Sequence, residues 1–543
     1  MSNQCRPLAN FNPSIWGDRF TSTPRDHQQW EAYSNESDVL KSEVRNMLVS
    51  AASSKMTEEL MLINTIERLG VAYHFQDFIE ERLGKVYGNF ESDQHQHDLF
   101  TTSTYFRIFR QHGYNITSDV FSRFKIEGKF DEAISKDQMG MLSLYEAAQL
   151  RTPGEAILDE ALAFATSHLS AMAKIDLESG SLSRQIMHAL EQPLHKGLSR
   201  IEAKHFISFY EEDPSRNELL LKFAKLDFNL VQMLYKQELS QVNRWWADLG
   251  FDSKLPQFRS RVVEGYFWAV SILYEPCYAV GRIMFTKVLC ALSIADDLYD
   301  AYGTMDELDL YTKAIERFDL QSIEGLQGHS KVCYITCLNV LREFDDEIIK
   351  KGRYYDVSYL KEVFKANLIC YHIEAKWRDI NYVPPFEEYF PNALTSSGIW
   401  ILGVASILGM AHVDTVQACE WALTKPKAIL VAEANARILN DIVGFEEEHS
   451  RPHVATSIDC YRKEYGVSKE EAVAKLEEMI DNTWKDMNEA CLRPAPLPMH
   501  FITVFLNFMR VCFVTYKAGD GYTHPEQQLK DEIKFMLLDP VLI

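Results

Sequence analysis

Apolar side chains recur along most of this chain at the spacing of an α-helix. From about residue 37 the apolar positions follow a period near 3.6 residues, which places them on one face of a helix. Two early stripes are Val39, Leu40, Val44, Met47, Leu48 and then Leu60, Leu62, Ile63, Ile66, Leu69. Gly and Pro are sparse, at 24 and 18 residues, which favours long helices over a turn-rich β fold. The pattern predicts an all-α protein.

Glycine and proline positions predict where helices in the first half end or begin. Breaks are expected at Gly70, Gly84, Gly113 and Gly128. Thr152-Pro153-Gly154-Glu155 has the pattern of a helix start, with Pro in the first turn and an acid just inside it.

The length of 543 residues predicts more than one hydrophobic core. A second helical series begins near Phe223-Ala224-Lys225-Leu226, and no flexible linker precedes it. We therefore expect two helical domains that divide near residue 222. They would cover residues 1–222 and 223–543.

A group of three carboxylates closes the apolar run from Ile283 to Ala295. The sequence there is Asp296-Asp297-Leu298-Tyr299-Asp300, and at helical spacing Asp296 and Asp300 project from one face. Repulsion and desolvation would raise their pKa values unless a cation lies between them. Mg²⁺ binds one or two carboxylates and completes its shell with water and substrate phosphate. An exposed acidic helix end is the alternative interpretation, and the preceding apolar run argues against it.

A second polar stripe follows later in the chain, at Asn440, Gly444 and Glu448. These positions are i, i+4 and i+8 of one helical face. Facing the aspartates, they would form the other half of a metal clamp, with water filling the gap left by Gly444. Two unit charges 4 Å apart repel by ~1 kcal/mol in water and by more in an enclosed site, so a diphosphate would need Mg²⁺ to approach these acids.

Composition narrows the partners and the compartment. The formal net charge of −22 argues against nucleic acid or an anionic membrane, because binding to backbone phosphates needs a basic surface. The ten cysteines are scattered without a CxxC pair, which favours reduced thiols and a cytoplasmic location. Residues 1–29 lack the apolar segment of a signal peptide. The apolar stretches near 399–411 and 501–514 fall short of the ~20 residues of a membrane span, so no stable membrane insertion is expected.

Taken together, the motifs resemble those of the plant class I terpene synthases, in particular the cytosolic sesquiterpene synthase group. The resemblance extends over essentially the whole chain. It is carried by Arg6-Pro7 with Trp16, Arg259-Ser260-Arg261, Val262 to Trp268, Asp296 to Thr304, Asn440-Asp441 with Gly444 and Glu448, and Asp520 to Pro525.

This resemblance implies a fold, a cofactor and a set of site residues. The C-terminal domain would be a helical bundle around an apolar cavity, and the N-terminal domain would bind no catalytic metal. Asp296 and Asp300 would bind two of three Mg²⁺ ions, or Mn²⁺ as a substitute. Asn440, Glu448 and the position of Gly444 would hold the third ion.

The resemblance also implies how the substrate is held. Arg259, Arg261 and Arg437 would bind the diphosphate group of a prenyl diphosphate substrate. Asp297 would orient nearby basic side chains. The segment from Arg6 to Trp16 would cover the cavity mouth, and the loop from Lys517 to Tyr522 would close as a lid. Aromatic and catalytic positions in the cavity would be Trp268, Tyr516, Asp520 and Tyr522, with Trp400 as a neighbour. The enzyme would be monomeric.

The sequence departs from the family pattern at the third metal site. Gly444 replaces the usual hydroxyl residue, so water must supply that ligand. His449 stands where Lys or Arg is common, and an imidazole is only partly charged at neutral pH.

The expected reaction is ionisation of farnesyl diphosphate, cyclisation of the carbocation and release of a sesquiterpene hydrocarbon or alcohol. Three alternatives are open. A monoterpene synthase would use geranyl diphosphate instead. A chain-elongating prenyltransferase would need a second DDxxD motif, where this chain has Asn440-Asp441. A catalytically inactive prenyl-binding protein should have lost the metal-binding acids, which are present here.

Overall fold

The computed structural model describes residue 9 and residues 11–22, 26–90, 97–175, 180–350, 357–449, 454–526 and 528–543. It is 76% helical. The strands in the described residues are two short antiparallel ones, β1 (Lys125–Ile126) and β2 (Lys129–Phe130). The predicted all-α class is therefore confirmed.

The α-helices are α1 (His27–Ala51), α2 (Met56–Arg68), α3 (Gln76–Phe90), α4 (Leu99–Gln111), α5 (Gln138–Ala148), α6 (Ala156–Ile175), α7 (Ser181–Glu191), α8 (Ser199–Glu211), α9 (Glu218–Leu249), α10 (Phe251–Lys254), α11 (Val262–Ile272), α12 (Ala279–Asp297), α13 (Met305–Arg317), α14 (Gly328–Lys350), α15 (Ser358–Asp379), α16 (Phe386–Ser396), α17 (Ile399–Met410), α18 (Thr415–Leu423), α19 (Lys427–Glu448), α20 (Ser457–Tyr465), α21 (Lys469–Ala490), α22 (Met499–Thr515) and α23 (Gln528–Leu537). A π-helix follows α12 at Leu298–Tyr302, and short 3₁₀ turns lie at Ala72–His74, Ser118–Phe124, Glu132–Lys136, Leu194–Lys196, Pro276–Tyr278 and Gln321–Gly325.

The chain forms two compact units, which we call unit A and unit B. Unit A comprises Met1–Pro24, Tyr235–Trp484 and His500–Leu537, and unit B comprises Arg25–Leu234, Lys485–Met499 and Leu538–Ile543. The predicted boundary at residue 222 lies inside α9, and the units divide within the same helix at Leu234. No local signal marks this point, because one continuous helix serves both units.

Unit B is built on the apolar stripes that the periodicity indicates. Val44, Leu48, Leu60, Ile63 and Ile66 are buried in one hydrophobic core. Val39 is an exception, since its side chain is exposed.

The predicted glycine breaks in unit B are only partly correct. Gly70, Gly113 and Gly128 have positive φ angles of 75°, 79° and 83°, which glycine adopts without a steric penalty. Gly84 instead lies within α3, so the helix break predicted there is wrong.

Unit A is organised around α12, whose apolar run is buried on nearly every side. Its side chains pack against α11, α14, α15 and α17. This burial follows from the sequence between Ile283 and Ala295, and it carries the aspartates at the end of α12 into the interior of the unit.

Two helical stretches of unit A are long and apolar enough to cross a membrane by length and composition. They are Pro276–Tyr302 and Phe386–Met410, and 67% of each apolar window is buried inside the protein. Core helices of globular proteins have the same length and composition.

Candidate active site

Unit A contains a cavity of about 250 Å³ between its helices. The walls come from α11, α12, α15, α16 and α19, together with the loop after α22 and Phe11 of the N-terminal segment. Eleven of the predicted site residues line it: Arg259, Trp268, Asp296, Asp300, Arg437, Asn440, Gly444, Glu448, Tyr516, Asp520 and Tyr522.

The acidic wall is formed where α12 ends. The helix stops at Asp297 and the chain continues as the π-helix Leu298–Tyr302, so the predicted α-helical spacing of Asp296 and Asp300 does not hold. Both carboxylates still line the cavity, with side chains 35% and 26% exposed. Burial raises the pKa of Asp296, and the Arg259 guanidinium opposes that rise.

Asp297 is not among the residues that line the cavity, and it holds Arg259. Its carboxylate is fully buried and accepts hydrogen bonds from the backbone N–H and the Nε–H of Arg259, both at 2.6 Å. Arg259 also donates from Nη2 to Asp296 at 2.5 Å and from Nη1 to the Thr523 hydroxyl at 3.2 Å. Burial raises the pKa of Asp297 to about 6, an effect that Arg259 opposes. The middle aspartate thus fixes the arginine beside the outer two.

The opposite wall is α19, which presents Asn440, Gly444 and Glu448 on one side as predicted. A Cβ atom added at Gly444 would lie 3.3 Å from Oε1 of Glu448, so this position directly adjoins that carboxylate. Asp441 also lines the cavity, but its Oδ2 accepts hydrogen bonds from Tyr389 at 2.9 Å and from the Ser457 backbone at 2.7 Å.

The donor set of the two walls fits Mg²⁺. Carboxylate and amide oxygens are the hard ligands that this ion prefers, and it leaves other positions to water and phosphate. Within the described part of the chain, no three His, Cys, Asp or Glu side chains converge closely enough to hold a metal as one group. An ion that takes only one or two carboxylates from a single wall, as Mg²⁺ does, fits this arrangement.

Two further arginines line the cavity beside the acidic residues. Arg437 is held on three sides, by the Ala393 carbonyl at 3.1 Å, the Ser396 hydroxyl at 3.1 Å and Asp441 at 3.2 Å. Arg378, which the sequence analysis did not identify, donates to the carbonyl of Asp300 at 2.6 Å.

Arg261 does not reach the cavity lining, contrary to the role expected for it. Its guanidinium is buried and donates to backbone carbonyls of Asn12 at 3.0 Å, Thr523 at 2.7 Å and Tyr522 at 3.1 Å. These contacts tie the N-terminal segment and the loop after α22 to the start of α11. Arg261 is therefore placed to hold chain segments rather than a ligand.

The N-terminal segment covers part of the cavity through Phe11. Its ring lies 4.6 Å from the Arg259 guanidinium carbon. The Trp16 indole donates from Nε1 to Oε1 of the buried Glu264 at 2.8 Å. Arg6 and Pro7, which carry part of the family resemblance, lie outside the described residues.

Aromatic side chains form the less polar part of the cavity. Trp268 and Tyr522 are in edge-to-face contact, with ring centroids 6.0 Å apart, and Tyr516 lies in the same lining. Asp520 accepts hydrogen bonds from the backbone N–H groups of Tyr522 at 3.1 Å and Thr523 at 3.0 Å, so it shapes the loop. Trp400 is not part of the lining; its indole donates to the Ala422 carbonyl at 2.9 Å.

Helix α15 contributes cavity residues that the sequence analysis missed. Tyr371, Glu374 and Arg378 all line the cavity, and burial raises the pKa of Glu374 to about 7. Their spacing of three and four residues was visible in the sequence as one polar stripe on a mostly buried helix. Because these three residues match no known sequence motif, the stripe alone did not indicate a function.

The fold and the site together define an all-α enzyme with acidic and basic side chains around a partly aromatic cavity. Known proteins identify the family. The chain matches the terpene synthase N-terminal domain over residues 15–190 and the terpene synthase family metal binding domain over residues 247–486. The chain belongs to the terpene synthase family, as the sequence motifs predicted.

Curated relatives match along nearly the full length. The chain is 48% identical over 538 residues to a valerianol synthase of Camellia sinensis and 47% identical over 538 residues to a hedycaryol synthase of Camellia brevistyla. Each comparison covers 99% of this chain and 97% of the relative.

Solved structures show the same fold. A limonene synthase with 2-fluorolinalyl diphosphate superposes with a TM-score of 0.90 at 29% identity, covering 99% of this chain and 100% of that one. Isoprene synthase from grey poplar, in complex with three Mg²⁺ ions and dimethylallyl-S-thiolodiphosphate, gives 0.86 at 32% identity, covering 94% and 98%.

Proposed function

We propose that this chain is a sesquiterpene synthase that ionises farnesyl diphosphate, cyclises the carbocation and releases a sesquiterpene and diphosphate. The observation that carries the proposal is the pairing of Asp296 and Asp300 with Asn440 and Glu448 around one cavity. The support from relatives is that the valerianol and hedycaryol synthases are sesquiterpene synthases.

Three Mg²⁺ ions are part of the proposal, with Mn²⁺ as a substitute. Asp296 and Asp300 would hold two of them, and Asn440 and Glu448 the third, with water in place of a side chain at Gly444. When bound, the ions would supply positive charge that stabilises the departing diphosphate. The complex of grey poplar isoprene synthase with three Mg²⁺ ions supports this number.

Arg259 and Arg437 would bind the diphosphate oxygens as the allylic carbon–oxygen bond breaks. Both guanidiniums already line the cavity and are fixed by carboxylates. Arg378 lies beside Asp300 and can add to this positive surface. Arg261 would act indirectly, by holding the segments that cover the cavity.

The carbocation needs a cavity that excludes water, because water would quench it before cyclisation. Phe11 and the loop carrying Asp520 and Tyr522 would close the mouth. Aromatic faces at Trp268, Tyr516 and Tyr522 would each stabilise a cation by ~0.5–2 kcal/mol. Tyr516 and Asp520 would be candidate catalytic residues in this cavity.

The protein would act as a monomer in the cytoplasm, without stable membrane insertion. The scattered cysteines support a reducing compartment.

Product analysis tests the proposal. Purified protein is incubated with Mg²⁺ and either farnesyl or geranyl diphosphate, and volatile products are separated by gas chromatography. We expect cyclic C15 products from farnesyl diphosphate and none when EDTA replaces Mg²⁺. Absence of any C15 product would contradict the proposal, and efficient turnover of geranyl diphosphate alone would indicate a monoterpene synthase.

A further inference from the structure

Arg437 is more constrained than a guanidinium that merely lines a cavity. A guanidinium has five N–H donors. In this structure Nε donates to the Ala393 carbonyl at 3.1 Å, Nη2 to the Ser396 hydroxyl at 3.1 Å and Nη1 to Asp441 at 3.2 Å. Among the described residues, one N–H on each terminal nitrogen has no protein acceptor, and the side chain lines the cavity. An arginine with two such donors can bind a phosphate group in a bidentate manner.

The Ser396 hydroxyl is fixed by a further side chain. It donates to Oε1 of Glu374 at 2.5 Å, and the same oxygen accepts from the Asn392 amide at 3.0 Å. Ser396 is only 2% exposed and Glu374 is buried as well. The Ala393 carbonyl is a second acceptor for this hydroxyl, at the longer distance of 3.3 Å. With the proton on the nearer Glu374 oxygen, a lone pair of the Ser396 oxygen is available to Arg437.

Glu374 makes no direct ion pair with Arg437 among the described residues, so the serine is the link between them. The chain of contacts crosses three helices, α15, α16 and α19, at one point of the cavity wall. Without Ser396, the guanidinium would keep only its contacts with the Ala393 carbonyl and Asp441, and Nη2 would lose its partner. Contacts with α16 fix its plane.

We propose that Glu374 and Ser396 are positioning residues that orient the Arg437 guanidinium so that its two remaining N–H groups meet the diphosphate. This inference rests on the proposed function, because it assigns the anion that Arg437 binds. Glu374 and Ser396 themselves need not touch the substrate.

Direct binding of inorganic diphosphate in the presence of Mg²⁺, measured by calorimetry, tests the inference without turnover. For Ser396→Ala we expect Kd to rise about tenfold, because a hydrogen bond to a charged group is lost. Ser396→Thr should restore Kd to within about twofold of wild type. Glu374→Gln keeps an acceptor oxygen and should change Kd by less than about threefold, whereas Glu374→Ala should approach Ser396→Ala.

Ser406→Ala is the matched control. Ser406 is also a buried serine on a helix of unit A, but its hydroxyl donates to the Leu402 carbonyl of its own helix and it does not line the cavity. Its Kd for diphosphate should equal that of wild type.

Turnover of farnesyl diphosphate provides the second measurement. Ser396→Ala should lower kcat/KM by about the same factor as it weakens diphosphate binding, and the threonine variant should recover it. Unchanged diphosphate binding in a folded Ser396→Ala protein would overturn the inference, as would an equal loss in Ser406→Ala. If wild type binds diphosphate but forms no terpene, the proposed function fails while the positioning role stands.

Discussion

Asp297 is the acidic residue whose contribution to stability can be separated from catalysis. It is fully buried and its two oxygens are both committed to Arg259. Removing one partner of a buried ion pair leaves an uncompensated charge, so Asp297→Ala should lower the free energy of unfolding by about 3 kcal/mol. Urea denaturation measures this loss.

The control for Asp297 is a surface pair of the same kind. Glu81 contacts Lys85, and its side chain is 61% exposed. Glu81→Gln should leave the urea denaturation midpoint nearly unchanged, because solvent screens an exposed ion pair. An Asp297→Ala protein as stable as this control would mean that the carboxylate does not support Arg259.

Gly444 lies where the family pattern has a hydroxyl residue. A new Cβ would approach only the Glu448 side chain, at 3.3 Å, so a serine fits by a small shift of that flexible group. Gly444→Ser should lower the Mg²⁺ concentration needed for half-maximal activity several-fold, because the hydroxyl replaces a water ligand. Activity measured against Mg²⁺ concentration checks this.

Gly444→Ala is the control that separates the effect of the hydroxyl group from the effect of a higher helix propensity. It adds the same Cβ and gains up to ~1 kcal/mol of helix propensity, but it offers no oxygen. Its Mg²⁺ dependence should match wild type. If Gly444→Ala lowers the Mg²⁺ concentration for half-maximal activity as much as Gly444→Ser does, residue 444 is not a metal ligand position.

Glu433 should make stability depend on pH. Its carboxylate is fully buried, and burial raises its pKa to about 7 although Lys425 lies 2.9 Å away. The folded state therefore holds the proton more tightly than the unfolded chain, and stability falls as pH rises from about 4.5 through 7. Glu433→Gln should be ~1–3 kcal/mol more stable than wild type at pH 8 and show no such advantage at pH 4.5. Thermal unfolding at both pH values tests this, and an equal difference at both would exclude Glu433 as the titrating group.

At the scale of elements, most of the helices that could be predicted followed from local sequence patterns. The apolar run of α12 and the stripe on α19 are properties of neighbouring residues, so the sequence was sufficient to identify these two walls of the cavity, whereas the contribution of α15 was missed. The π-helix after Asp297 could not be predicted, because its last residue, Tyr302, is fixed by partners far along the chain, including the Ala9 and Gln257 carbonyls. The same limit explains Arg261, whose carbonyl partners lie 249 and 262 residues away.

The N-terminal segment is the element most open to a direct test. Its one described side-chain hydrogen bond to α11 joins Trp16 and Glu264 at 2.8 Å. Trp16→Phe removes the donor and leaves a buried carboxylate oxygen unpaired. This should destabilise the docked N-terminal segment by roughly 1–3 kcal/mol. We expect kcat to fall about tenfold and acyclic alcohols to increase among the products, because water enters before cyclisation is complete. Gas chromatography reports both.

Trp245→Phe serves as the comparison for Trp16. Its indole makes a longer contact, 3.4 Å, to the partly exposed Glu343 and does not line the cavity. The product profile of this variant should be unchanged. A Trp16→Phe profile identical to wild type would show that this hydrogen bond does not hold the cover in place.

At the scale of the whole molecule, composition predicts the overall charge but not where the charges lie. Composition indicates an acidic protein that avoids polyanions, yet the site of unit A gathers three arginines at its cavity. This cluster of arginines among the acidic residues depends on residues 259, 378 and 437 meeting in space, and periodicity does not encode that meeting. The division into two units inside α9 is likewise defined by tertiary contacts.

Metal and diphosphate should therefore stabilise this protein only together. Mg²⁺ alone finds two carboxylate groups on separate walls, and no three acidic side chains converge among the described residues. Diphosphate alone meets the repulsion of those carboxylates. Bound jointly at 100 times the dissociation constant, they should add about 2.7 kcal/mol to the stability of the folded state. Calorimetric scans with neither ligand, each alone and both should show a clear rise in Tm only for the pair, and Asp296→Ala should abolish it. An equal rise with diphosphate alone would mean that the arginines suffice without metal.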